Sequence, residues 1–189
     1  MSDQPRITVW DGVVPHLDAY RAACLAQPFA SLTFGPKTFH GIATPPDMSL
    51  LDWLADRGIV EEAMTTFLRK SPAGQREPHD VHDDGEMGAW TAILYLTAQP
   101  PLDDGTTFWR HRATGAYLAD ATVPTWAGTR REAWDPWRTV AALPNRLVWF
   151  PARCFHSRAI FENYGEGDDA RLIQVVFGGP PAASADATD

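Results

Sequence analysis

From Trp90 onward the chain is built of short apolar runs: WTAILYLT (90–97), TTFWRH (106–111), NRLVWFP (145–151), HSRAIFE (156–162) and RLIQVVFG (171–178). Each is rich in β-branched and aromatic residues, and turn formers such as PPLDDG and NYGEGDD separate them. Runs this short cannot be helices of ordinary length, and the turns between them bring strands back antiparallel, so the pattern predicts a sandwich or barrel. The first 70 residues read differently. Residues 6–11 alternate as an edge strand, and residues 14–26 place Leu17, Tyr20 and Cys24 on one helical face behind Pro15. An extended piece (30–34) leads into a Gly/Pro-rich loop holding Phe39, His40 and Gly41. Ile59, Ala63 and Phe67, beside Val60, Met64 and Leu68, predict helix over about 48–69, divided at Gly58. The fold class expected is mainly β with flanking helices (α+β), the N-terminal helices packing outside the β core.

One domain is expected over 1–178, with residues 1–70 as its helical and edge-strand part and 71–178 as its β core. The tail 179–189, GGPPAASADATD from Gly178, reads as disordered. The segment 119–144, carrying Trp126, Trp134 and Trp137, reads as an insertion forming a helical cap or ordered loop.

Composition narrows the function. With 24 acidic against 16 basic residues the net charge is −8, and no basic run concentrates positive charge against nucleic-acid phosphates. No apolar stretch approaches the ~18 residues of a membrane span, so no membrane partner is expected. The polar start Met1–Arg6 shows no signal peptide, and the 2 cysteines, Cys24 and Cys154, make no disulfide framework. A cytoplasmic protein is expected.

The stretch 71–88 is polar and contains HDVHDDGE. In extended backbone alternate side chains share a face, so His82 and Asp84 point one way and Asp83 the other. His156, at the head of a predicted strand, can be folded alongside them. Two imidazoles and one carboxylate leave three metal positions open, the donor set of non-haem Fe(II) oxygenases. Asp80, Asp83 and Glu86 are neighbouring carboxylates, but none lies two places after His82.

From about Pro78 to Gly178 the chain resembles the prolyl-hydroxylase-like superfamily of Fe(II)- and 2-oxoglutarate-dependent oxygenases. Five pieces carry the resemblance in order: His82-x-Asp84, TAILYL (91–96), DDGTTFWRH (103–111), NRLVWFPARCFHS (145–157) and RLIQVVFG (171–178). The resemblance implies a double-stranded β-helix, or jelly roll, with His82, Asp84 and His156 as iron ligands at its mouth. It implies that Arg171 holds the distal carboxylate of 2-oxoglutarate, with Tyr95 and, less centrally, Thr91 in the same place. The interval of 15 residues from His156 to Arg171 is longer than in the compact members, because the acidic hairpin NYGEGDD is inserted.

The implied activity consumes O2 and decarboxylates 2-oxoglutarate to succinate, with ascorbate as a reductant, while an unactivated C–H bond is hydroxylated or otherwise oxidised. Asp84 argues against halogenation, since related halogenases lack this carboxylate. A small-molecule or amino-acid-derived substrate is expected, with Trp90, Trp109, Trp137 and Arg138 as candidate pocket or lid residues and Arg130 and Arg131 as further cations of the insertion. Two alternatives stay open at this level: hydroxylation of a protein residue, and a non-catalytic jelly-roll binding module.

Overall fold

The computed structural model describes residues 4–180 apart from 36, 60–63, 78–79, 121–122, 124–130 and 161. Among these run β1 (Thr8–Asp11), α1 (Leu17–Leu25), β2 (Ala30–Phe34), β3 (Lys37–Ala43), α2 (Ser49–Ala55), β4 (Met64–Ser71), β5 (Trp90–Tyr95), β6 (Gly105–His111), β7 (Trp134–Ala141), β8 (Arg146–Pro151), β9 (His156–Arg158) and β10 (Arg171–Gly178). Two antiparallel sheets form, one ordered β1-β8-β5-β10-β4-β3-β2 and the other β7-β6-β9. This is a jelly-roll core with helices on the outside of the larger sheet.

Strands β5 and β10 are buried along their whole length because both faces of the larger sheet are covered. Their side chains therefore alternate between two apolar layers rather than between core and water. Ala92, Leu94, Leu172 and Val176 meet Tyr20, Cys24, Leu50 and Leu54 of the helices. Ile93, Tyr95, Ile173, Val175 and Phe177, with Phe150 beside them on β8, face Phe108 and Val140 across the space between the sheets. Each fully buried leucine in such a layer contributes about 1.5–3 kcal/mol relative to exposure. A third cluster, with Val81, Trp109, Trp134 and Phe155, backs the smaller sheet. Helix α1 is tied to the larger sheet by Tyr20, whose hydroxyl donates to Gln174 Oε1 of β10 at 2.6 Å.

Three expectations are corrected. Among the described residues the helix predicted over 48–69 is present only as α2, and from Met64 the chain is strand β4, paired over eight residues with β10 from Arg171↔Ser71 to Gly178↔Met64. The spacing that suggested a helix is four residues, and positions i and i+4 share a face in a strand as well as in a helix. The Phe39–Gly41 loop is strand β3, hairpinned to β2 and touching β4. Gly41 has φ +68°, and a Cβ there would collide with the Lys70 carbonyl oxygen, so glycine is required where the strands converge. The insertion 119–144 ends as strand β7, which pairs with β6 and walls the β core. Val60, Ala63, Trp126, Arg130 and the tail 181–189 lie outside the described residues. Among the described residues no helix is long and apolar enough to cross a membrane.

Candidate metal centre

His82 and His156 meet through their backbones before their side chains meet. The His82 amide donates to the His156 carbonyl at 2.9 Å and the His156 amide returns the bond at 2.8 Å. The Asp84 amide donates to Ala152 O at 2.7 Å, pinning the other end of the His-x-Asp segment. These bonds fix the register, and alternation along the extended segment turns His82 and Asp84 toward the same side. His156 is the first residue of β9, opposite Phe108 of β6.

The side chains converge. Asp84 Oδ2 lies 3.3 Å from His156 Nε2 and Asp84 Oδ1 lies 3.7 Å from His82 Nε2. One ligand atom from each of the three residues falls within 4.8 Å of the others. Each imidazole donates from Nδ1 to a carbonyl, His82 to Asp80 O at 2.8 Å and His156 to Cys154 O at 2.9 Å. Both Nε2 atoms are thereby left as the inward-facing donors, the arrangement that orients histidines toward a metal. Thr91 Oγ1 donates to Asp84 Oδ2 at 3.0 Å and holds the carboxylate from behind. Burial raises the Asp84 pKa, but His156, His82 and the Thr91 hydroxyl outweigh it and hold the group at about 2. Burial likewise lowers that of His156, and Asp84 with the Cys154 carbonyl more than reverses this, so the imidazole holds its proton above the usual value.

Two nitrogens and one carboxylate, gathered at one point, fit a divalent iron that keeps open positions. Among the described residues no thiolate joins them: Cys154 is buried, and burial with the nearby Asp83 charge pushes its thiol up to about 12.

Arg171 opens β10 on the face that looks between the sheets. Both of its hydrogen bonds among the described residues use Nε, which reaches Asp104 Oδ1 and Oδ2 at 3.3 Å each. Asp104 is further held by the Tyr164 hydroxyl at 2.7 Å. Tyr95 shares the face, 2.6 Å from Thr106 Oγ1, and burial pushes its hydroxyl pKa upward. Thr106 is a site-facing hydroxyl that the sequence reading passed over; its alternation with Phe108 on β6 was the available signal.

The remaining candidates divide. Trp90 points to the opposite face of β5 and packs in the helix-facing layer, beside Trp149 at 6.3 Å. Trp109 lies behind the smaller sheet, its indole donating to Ser157 Oγ at 3.0 Å. Neither borders the metal centre, because each occupies the outward parity of its strand. Arg138 is exposed and donates to Ile7 O at 3.2 Å. Trp137 does look inward. It sits at a bulge in β7, its ring 6.0 Å from Phe108 and 5.4 Å from Tyr117, and its buried Nε1 has no hydrogen-bond partner among the described residues. Thr91 shares the inward face of β5 with Ile93 and Tyr95, and its hydroxyl donates to Asp84.

Several solved structures share this shape. A Pseudomonas putida prolyl-4-hydroxylase superposes with TM-score 0.58 at 14% identity, over 93% of this chain and 94% of that one. The chain has its fold. The non-heme alpha ketoglutarate dependent carbocyclase SnoK from nogalamycin biosynthesis superposes with TM-score 0.54 at 15% identity, over 92% of this chain and 79% of that one. The epimerase SnoN from the same biosynthesis, also alpha ketoglutarate dependent, gives 0.52 at 17% identity over 98% and 89%. No family model matches the chain, and no curated protein matches it significantly.

Proposed function

We propose that the chain is a non-haem Fe(II)- and 2-oxoglutarate-dependent oxygenase that oxidises an unactivated C–H bond of a small molecule. The observation that carries this reading is the meeting of His82 Nε2, His156 Nε2 and the Asp84 carboxylate at one point, with both Nδ1 atoms already committed to carbonyls. The fold shared with 2-oxo-acid-dependent enzymes supports it.

When bound there, iron with a 2-oxo acid and O2 supplies an oxidant strong enough for C–H bonds, while the protein supplies placement and exclusion of water. His82, Asp84 and His156 would hold the metal, through two imidazole nitrogens and one carboxylate oxygen. Arg171 presents its terminal nitrogens to the distal carboxylate of 2-oxoglutarate, a contact whose fork geometry suits guanidinium. Asp104 grips Nε and so aims the fork. Tyr95 and Thr106 add hydroxyls beside it. Ile93, Val175 and Phe150 make the surrounding wall apolar, which keeps water from a reactive centre. Trp137 and Tyr117 form an aromatic pair on the substrate side, and the unpaired Trp137 N–H is a donor for a substrate oxygen. SnoK and SnoN act in the biosynthesis of a natural product, which favours a small molecule over a protein residue.

Anaerobic titration with Fe(II) and then 2-oxoglutarate tests this, read as the visible charge-transfer absorption of a chelated 2-oxo acid. The band is expected in the native chain, and its loss is expected in His156→Ala. Absence of metal binding in the native chain would leave a binding module as the better reading.

A further inference from the structure

Beside the metal centre lies a group of buried charges that the proposed mechanism uses only in part. Three guanidiniums face the space between the sheets from three strands. Arg171 is opposite Ser71 in the β10–β4 ladder, and Arg69 is opposite Ile173, so Arg69 sits diagonal to Arg171 on the same face, a separation of about 7–8 Å between Cα atoms. Arg158 is opposite Thr106 on the other sheet, two residues after His156 and on its face. Glu77 accepts from Arg69 Nη2 and from Asn163 Nδ2, Asn163 Oδ1 accepts from Arg158 Nη1, and Asp104 accepts from Arg171. Arg158 and Arg69 are each made less basic, first by burial and also by repulsion from Arg171.

The placement of Arg158 is specific. Two residues of strand carry a side chain about 6.6 Å along the sheet, which matches the reach of a five-carbon dicarboxylate from a metal beside His156. The direction is also right. From His156, β9 runs from Phe108 toward Thr106, and Thr106 Oγ1 is bonded to Tyr95, the residue on the face that Arg171 shares. A carboxylate at that end meets Arg171 from the larger sheet and Arg158 from the smaller one, and relieves the repulsion between them.

Resting on the function proposed above, we infer that Arg158 is a second binding residue for the distal carboxylate of the 2-oxo acid, closing on it from the sheet opposite Arg171. The strand that begins at the metal ligand His156 thus also measures the length of the co-substrate. The site selects a 2-oxo dicarboxylate over a 2-oxo monocarboxylate through two cations rather than one.

The test compares 2-oxoglutarate with 2-oxobutyrate, which chelates metal identically but lacks the distal carboxylate. Both are titrated anaerobically into the Fe(II)-loaded native chain, Arg158→Gln and Arg158→Lys, with Kd read from the charge-transfer band. A band in the native chain upholds the oxygenase reading independently of Arg158. Arg158→Gln is then expected to raise the Kd of 2-oxoglutarate by about tenfold or more, and to leave that of 2-oxobutyrate within about twofold. Arg158→Lys, which keeps the charge without the fork, is expected to fall between. An unchanged Kd for 2-oxoglutarate, or equal weakening of both acids, overturns the inference, the latter marking Arg158 as structural. If Arg158→Gln does not fold, the Lys variant decides: selective weakening of 2-oxoglutarate supports the inference, and equal or no weakening overturns it.

Discussion

Arg131 and Asp80 meet in a two-pronged ion pair, Nε to Oδ2 at 2.6 Å and Nη2 to Oδ1 at 2.8 Å. The pair ties the segment leading into β7 to the loop that carries His82, and it does so one bond from the metal centre. The carbonyl of the same Asp80 accepts from His82 Nδ1, and Arg131 Nη2 also donates to Arg158 O at 3.3 Å. Arg131 therefore braces both histidine-bearing segments from behind.

Removing that brace loosens a ligand without touching it. Groups that orient metal ligands typically change metal affinity by about 10–100-fold. Arg131→Ala and Asp80→Asn are each expected to weaken metal binding by about tenfold, with the double variant no worse than the poorer single one, since they remove one interaction. Competition titration with a chelator measures this. Additive losses in the double variant would mean that the two residues act separately.

Thr91 offers a second check on the same logic from the carboxylate side. The side chain is fully buried and its hydroxyl donates to Asp84 Oδ2. Thr91→Val keeps the shape and removes the donor, leaving a buried carboxylate one hydrogen bond short. Metal affinity is expected to fall by about tenfold, with the Kd of 2-oxoglutarate for the loaded protein nearly unchanged. A large loss of 2-oxoglutarate binding with metal affinity intact would instead return Thr91 to the co-substrate.

These residues also mark what the sequence could and could not reveal. The His82-x-Asp84 segment, His156 and the strands β5, β6, β8, β9 and β10 were legible because strand alternation has period two and the turn residues punctuate it clearly. Arg171 was legible through the apolar run behind it. The β4 strand was not, because Met64 and Leu68 lie four apart and both periods put them on one face. Nor was the parity of Trp90 and Trp109: aromatic residues look alike from sequence whether they face the site or the back of their sheet, and only register with β8, β10 and β9 decides it. Arg158 was invisible because its meaning depends on Thr106 and Tyr95 arriving from distant strands.

Trp90 makes the parity argument testable. Gly178, opposite Trp90 in the β10–β5 ladder, lies flat under the indole, and a Cβ at Gly178 would run into that ring. Gly178→Ala is expected to destabilise the fold by about 1–3 kcal/mol through overpacking, read as a lowered Tm. Substrate turnover per folded molecule should hold, because the indole faces the helices. A selective rise in substrate KM at unchanged Tm would restore Trp90 to the substrate side.

Acidity should act on the centre through His156 and Asp84 together. Asp84 titrates at about 2, below its ordinary 3.8, and His156 above its ordinary 6.5. Between those two values the metal-free site holds a carboxylate against an imidazolium. For His156 the folded value is the higher one, so its contribution to stability is complete below about pH 6.5 and is lost as pH rises through the raised value. For Asp84 the folded value is the lower one, so its contribution is present above 3.8 and is lost as pH falls toward 2. A metal ion must displace the His156 proton to bind. Metal affinity is accordingly expected to fall by about tenfold per pH unit on acidification below the raised His156 value, with one proton released per metal bound there. Meanwhile the Tm of the metal-free chain should drop as pH rises through the same region. Titration with Co(II) across about pH 6–8, alongside thermal unfolding of the metal-free chain, reads both effects. Metal affinity that does not change with pH across this range would mean that His156 is neutral before the metal arrives.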